Sequence, residues 1–245
     1  MLEKRRISLG GQTIDVREKT TPMGKAFVFI HGIGVSGRYF YPLAKELSSD
    51  NSVYILDLPG YGKTPKPPKP LNVKMLARLV EQFIEQHAID EPVLVGQSMG
   101  CQIAVHVANS NPGKYRNIIL IGPTVDRHER NRFMQGLRLL QDTSMEPAHL
   151  NKIIFSDYIR MGVRRYLKTS SFMLADCIEK SLKKYTGKAL IVRGENDPIS
   201  SSKWCRYITD IAPHGCFCEV KGAAHVAQYT KPKEVGEICR KFLIK

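Results

Sequence analysis

The residues Gly96-Gln97-Ser98-Met99-Gly100 set one hydroxyl between two glycines, where the apolar run Val93-Leu94-Val95 gives way to Ile103, Ala104, Val107 and Ala108. The run suits a buried parallel strand, and the later spacing is that of one helical face. Ser98 therefore falls on the turn between a strand and a helix. A serine hydroxyl is a weak nucleophile until a base takes its proton and a third group orients that base. His225 closes the segment Gly222-Ala223-Ala224-His225 after the last predicted strand, where small neighbours leave a loop free to bring the imidazole over Ser98. Asp197, in Gly194-Glu195-Asn196-Asp197-Pro198, follows the strand before that one. The competing structural roles are a helix cap for Ser98 and a backbone-bonded loop residue for His225.

Elements that could position these groups are legible along the chain. Short β-rich runs at 12–17, 26–30, 53–56, 93–95, 117–121, 189–192 and 216–220 alternate with helical patterns near 39–48, 72–87, 99–109, 200–211 and 232–243. This alternation predicts an α/β fold with a mostly parallel central sheet covered by helices on both faces, the first strand or two forming an antiparallel edge. The rhythm breaks between Pro123 and Gly187, where Phe133, Leu137 and Leu140 form one helical stripe and Leu174, Ile178 and Leu182 another. Such a segment exceeds what a single covering helix needs. It reads as a cap of three or four short helices at 123–187, inserted into a core made of 1–122 and 188–245.

Composition excludes several function classes. The N-terminus has no apolar signal core and no run approaches the roughly 20 residues of a membrane span, so the expectation is a cytoplasmic protein without a transmembrane segment. Six cysteines in 245 residues are too dilute for a disulfide framework. Cys216 and Cys218 would share a strand face, but no second close pair completes a tetrahedral metal site. The formal charge of +14 implies attraction to polyanions. The cations are scattered, with only Lys66-Pro67-Pro68-Lys69-Pro70 compact, and no RNA-binding aromatic motif accompanies them. No specific nucleic-acid binding is expected, and oligomeric state is not legible.

The motifs FIHGIGVSG at 29–37, DLPGYGKT at 57–64, VGQSMG at 95–100, LIVRGENDPIS at 190–200 and VKGAAHV at 220–226 together resemble the α/β-hydrolase superfamily, in particular its small, capped, esterase-like or lipase-like members. The resemblance spans nearly the whole chain and keeps the family order of serine, acid and histidine. It implies that Ser98 is a nucleophile on a tight elbow, His225 the general base and Asp197 the acid that holds the imidazole tautomer. Glu195, two residues earlier in the same loop, is one alternative acid, and Asp126 is another, because some relatives place the acid after the preceding strand. His31-Gly32-Ile33-Gly34 matches the oxyanion loop, so the backbone N–H groups of Ile33 and Met99 are the implied oxyanion donors, with His31 supporting the loop. Asp57 is expected to organise a structural turn. His87, His106, His128, His149 and His214 are expected to be non-catalytic. Thr230 stands where the family often has a glutamate, which weakens one outer acidic contact.

The implied reaction is hydrolysis of a small or medium acyl ester through an acyl-enzyme, with no metal or organic cofactor. The alternatives are carbon–carbon hydrolysis of the meta-cleavage-product type and a non-catalytic ligand-binding role on the same fold. Phe133, Met134, Leu137 and Phe172 are the expected substrate wall. Lys63, Lys66, Lys69 and Lys74, with Arg127, Arg130 and Arg132, would give an anionic acyl substrate a positive approach. Solvation of a basic surface is the competing reading.

Overall fold

The computed structural model describes residues 2–244; Met1 and Lys245, the outermost residues of the expected core, lie outside the described residues. An eight-stranded sheet runs β1 (Glu3–Leu9), β2 (Gln12–Lys19), β4 (Ser52–Asp57), β3 (Ala26–Ile30), β5 (Val93–Gln97), β6 (Asn117–Ile121), β7 (Lys188–Gly194) and β8 (His214–Val220) in spatial order. The pairs β1–β2 and β2–β4 are antiparallel and the rest are parallel. Central strands such as AFVFI and NIILI are almost wholly buried, as strands covered on both faces must be.

Strand β1 is absent from the periodicity reading, because EKRRISL begins with charge and most of it is exposed. Its charges instead drive the pairing: Arg5 meets Glu18, and Lys4 and Arg6 both meet the buried Asp15 across the hairpin. Opposite charges on facing strand positions stabilise such an edge, and a charged edge also discourages pairing with other chains.

Helices α1 (Tyr41–Leu47) and α10 (Pro232–Ile244) cover one sheet face. The other is covered by α2 (Val73–Gln86), α3 (Met99–Ser110) and α8 (Ser202–Ile211). Between β6 and β7 lie α4 (Arg132–Met145), α5 (Ala148–Met161), α6 (Val163–Ala175) and the short α7 (Ile178–Leu182). The last of these packs on α3 and α8, whereas α4 to α6 contact one another. The four-residue helix α9 (Ala227–Thr230) completes the set just after His225.

Asp57, at the end of β4, ties the edge to the loop after β3. Its Oδ1 accepts the Gly37 N–H at 2.6 Å and its Oδ2 accepts Arg17 Nη1 at 2.9 Å, with the carboxylate almost fully buried. Removing one partner of such a pair leaves a poorly solvated charge behind. Asp57→Ala is expected to destabilise the protein by about 3–5 kcal/mol in urea unfolding. A loss no larger than that of an exposed pair, under about 1 kcal/mol, would contradict this role.

Candidate active site

Ser98 joins β5 to α3 with φ 54° and ψ −121°, a conformation that non-glycine residues rarely adopt. The surrounding sheet holds it there. Ser98 N–H donates to the Ile121 carbonyl on β6 at 3.0 Å, and the Ser98 carbonyl accepts Cys101 N–H at 3.0 Å. Its side chain makes no capping bond to α3, so the hydroxyl is not used as a helix cap. The flanking glycines are required by close approach. A Cβ on Gly96 would sit 2.4 Å from the Gly100 carbonyl oxygen, and one on Gly100 would sit 2.1 Å from that of Ile30 on β3.

Asp197 lies in the loop after β7, where its Oδ1 accepts the N–H groups of Ile199 at 2.8 Å and Ser200 at 2.9 Å. Two fixed donors on one oxygen aim the other, and Oδ2 meets His225 Nδ1 at 2.8 Å. Nδ1 faces the carboxylate, so in the neutral ring Nδ1 carries the proton and Nε2 is the basic nitrogen. Burial disfavours the imidazolium, but Asp197, then Asp142 and Glu146, outweigh it and raise the His225 pKa to about 9. Gly122, at φ 53° after β6, makes room for the ring: a Cβ there would lie 2.8 Å from His225 Nδ1.

The two alternative acids are engaged elsewhere. Asp126 accepts from Ser201 Oγ and His128 N–H, and Glu195 accepts the Gly222 N–H. The remaining histidines also have other partners: His106 meets Asp176, His87 the Phe83 carbonyl, and His149 packs beside the Tyr229 ring. His128 meets Arg127, and His214 is exposed at the start of β8.

His31 holds the loop after β3. Its Nε2 accepts Leu58 N–H at 3.1 Å while Nδ1 donates to the Gly32 carbonyl at 2.8 Å, and burial lowers its pKa, so it stays neutral. Gly32 N–H donates to the Tyr39 hydroxyl, which donates to Gln97 Oε1; Gln97 Nε2 donates to the His225 carbonyl. Tyr39 and Gln97 thus link oxyanion loop, elbow and histidine loop. The sequence offered no signal for either beyond their proximity to the motifs. Ile33 and Ser98 line the same cavity, and Met99 is the first residue of α3, where a backbone N–H has no carbonyl of its own helix to meet.

That cavity, about 70 Å³, is lined by Ser98 and His225 below and by α4, α5 and α6 above. The expected wall is corrected here. Phe133 and Leu137 are 79% and 49% exposed, and neither they nor Met134 nor Phe172 lines the cavity. The inward positions of α4 are Gln135, Leu139 and Asp142, one helical stripe offset by two residues from the more apolar stripe at 133, 137 and 140. Phe172 instead carries Lys168 over its ring and lines a separate pocket near Asn72.

Helix α4 and the residue that ends it, Glu146, also contribute two carboxylates without any sequence signal. Asp142 Oδ1 accepts His225 N–H at 3.1 Å and Glu146 Oε1 accepts Val226 N–H at 2.8 Å.

A second, open groove of about 910 Å³ lies between the proline-rich loop and α6. Lys66, Lys69, Arg132, Arg164, Arg165 and Lys168 line it with no acidic residue among the lining. Lys63 and Lys74 are outside that lining, and two other expected cations are engaged elsewhere: Arg127 stacks on Tyr207 and Arg130 pairs with Glu179. Among the described residues no cluster of three or more His, Cys, Asp or Glu side chains is arranged to hold a metal ion, and no helix is long and apolar enough to cross a membrane.

Comparison with known proteins supplies the family. A stretch of 107 residues is 36% identical to the pimeloyl-(acyl-carrier protein) methyl ester esterase of Pseudoalteromonas atlantica, covering 43% of this chain and 40% of that relative. The match therefore spans less than half of either protein. A thermophilic esterase from Thermogutta terrifontis superposes with a TM-score of 0.81 at 17% identity, covering 99% of this chain and 98% of the other. A 2-hydroxy-6-oxo-6-phenylhexa-2,4-dienoate hydrolase from a Rhodococcus strain superposes equally well, with a TM-score of 0.81 at 16% identity over 100% of this chain and 99% of its own. At these identities the likeness is one of fold. Residues 25–160 match the family model described as alpha/beta hydrolase fold, and with the sheet order and motifs above the chain belongs to the α/β-hydrolase family.

Proposed function

We propose that the protein is a serine hydrolase that cleaves a carboxylic ester through Ser98, His225 and Asp197. The observation that carries this reading is the 2.8 Å contact between His225 Nδ1 and Asp197 Oδ2, made by a histidine that lines one cavity with the strained Ser98. His225 Nε2 takes the Ser98 proton as Oγ attacks the ester carbonyl, and Asp197 stabilises the imidazolium that forms. The N–H groups of Ile33 and Met99 receive the charge that develops on the carbonyl oxygen. His225 then protonates the departing alcohol, and in the second half activates water against the acyl-enzyme.

Helices α4 to α6 cap this site in our reading. The relative from Pseudoalteromonas, named for a methyl ester carried on an acyl-carrier protein, supports ester chemistry and an acyl substrate with a remote anionic part. The all-cationic groove beside the cap supports the same kind of substrate, held by charge away from the scissile bond.

Kinetics with a small activated ester test the triad. Ser98→Ala and His225→Ala should fold normally and lose roughly 10⁴–10⁶-fold in kcat, and Asp197→Asn roughly 10³–10⁴-fold. A near-normal Asp197→Asn together with a crippled Asp126→Asn would transfer the acid role. Turnover of a vinylogous diketone in the absence of ester turnover would instead favour the carbon–carbon reading, and neither activity would favour the non-catalytic one.

The groove makes a separate prediction. Lys66, Lys69 and Lys168 changed together to Gln should lower kcat/KM for an anionic ester by about 3–10-fold at low salt and less at moderate salt, because the Debye length contracts. A neutral ester of equal acyl length should be little affected. Equal losses for both esters would leave the groove as surface solvation.

A further inference from the structure

Three carboxylates in the helical insertion are buried: Asp142 at 4%, Glu146 at 6% and Asp157 at 1% exposure. Each accepts a backbone N–H from a loop outside the insertion. Asp142 takes that of His225 and Glu146 that of Val226, while Asp157 Oδ2 takes that of Ser36 at 2.9 Å. Ser36 lies three residues beyond Ile33 in the oxyanion loop. Its hydroxyl also donates to Asp157 at 2.6 Å, and Arg38 pairs with the same side chain.

Covering a sheet does not require these groups. Burying a carboxylate is costly, and well-packed apolar side chains at such positions are often neutral or stabilising by comparison. The Asp142 and Glu146 carboxylates, one on α4 and one on the extended residue that ends it, also repel each other. Glu146 Oε2 is buried and makes no hydrogen bond among the described residues. Burial raises the Glu146 pKa to about 7 and that of Asp142 in the same direction. What these acids gain is directional contact with backbone groups that hold the reactive side chains in place.

We propose that Asp142, Glu146 and Asp157 are positioning residues that make the insertion a clamp on both the histidine loop and the oxyanion loop, so that ester cleavage at Ser98 runs only while α4 and α5 are docked. The clamp rests on the reading of Ser98 and His225 as catalytic. It assigns the insertion a part in kcat as well as in substrate selection, because near-attack geometry is lost with displacements of the order of 1 Å. It also gives α4 a direct hold on the base: the charged groups facing His225 are Asp197 from the β7 loop, Asp142 from α4 and Glu146 from the residue that ends α4.

The test uses the full chain with the smallest activated acetate ester, whose binding needs little of the cap. Asp142→Ala combined with Glu146→Ala should lower kcat by about 10–100-fold while KM changes less than about threefold. Asp142→Asn with Glu146→Gln keeps acceptor oxygens and removes charge, so it should recover most of that loss. In this amide pair the acid limb of kcat/KM should also move to lower pH. The base acts when neutral, and losing nearby negative charge lowers the pKa it must exceed. An alanine pair with kcat within about twofold of wild type would overturn the clamp, as would an amide pair no better than the alanine pair. If the alanine pair does not fold, the amide pair decides alone: an unmoved acid limb overturns the proposal. An inactive wild type would remove the parent reading and the clamp with it, whereas an active wild type with unaffected variants would remove the clamp alone.

Discussion

The turn at Ser98 is the constraint on which the rest of the molecule depends. A non-glycine residue at positive φ between a buried strand and a buried helix is strained, and it persists only because neighbouring strands over-determine it. Strand β6 takes its N–H, while β3 comes so close to the start of α3 that a Cβ at Gly100 would collide with the Ile30 carbonyl, and one at Gly96 would collide with the backbone of Gly100 itself. The same approach lays the oxyanion loop over the elbow: a Cβ on Gly32 would stand 3.0 Å from that of Ser98. One packing arrangement therefore sets both where the hydroxyl stands and where oxyanion donors lie. The parallel sheet accounts for the remainder, since β7 and β8 end on the same side and deliver Asp197 and His225 from their following loops.

Charge is partitioned in a way that the net value of +14 conceals. Cations lie largely at the surface, concentrated in the groove between the proline-rich loop and α6. Acids are drawn inward, and Asp57, Asp142, Glu146, Asp157 and Asp197 are all buried with backbone N–H partners. A buried carboxylate satisfied by fixed donors acts as a rigid pin. The pins sit at the loops that carry chemistry or support them, and the cations remain free to act on whatever approaches from solvent.

How much was legible in the sequence follows from what each element hides. Continuous apolar runs exposed the central parallel strands, and the apolar stripes exposed the helices that cover the sheet to within a few residues, whereas the stripe at Leu174, Ile178 and Leu182 is divided between the end of α6 and α7. The strand-to-helix turn at Ser98 and the two loops that bring Asp197 and His225 into contact were legible because a tight turn and a small-residue loop restrict composition. Strand β1 was hidden because it opens on a run of charges whose partners, Asp15 and Glu18, lie across the hairpin, and only Ile7 and Leu9 at its end pack on the core. The wall was misread because α4 turns its more polar stripe inward and leaves Phe133, Leu137 and Leu140 exposed, contrary to the usual rule for amphipathic helices. Asp142 and Glu146 were illegible for the same reason, since carboxylates on a helix ordinarily read as its solvent face.

The central claim is that Ser98 is a nucleophile activated by its surroundings, and covalent trapping addresses it most directly. Intact-mass analysis after incubation with a fluorophosphonate, followed by mapping of the modified peptide, should find one adduct per chain, on Ser98, formed faster as pH rises and His225 loses its proton. Folded wild-type protein that takes no label, or a Ser98→Ala variant that takes it as readily, would contradict the account.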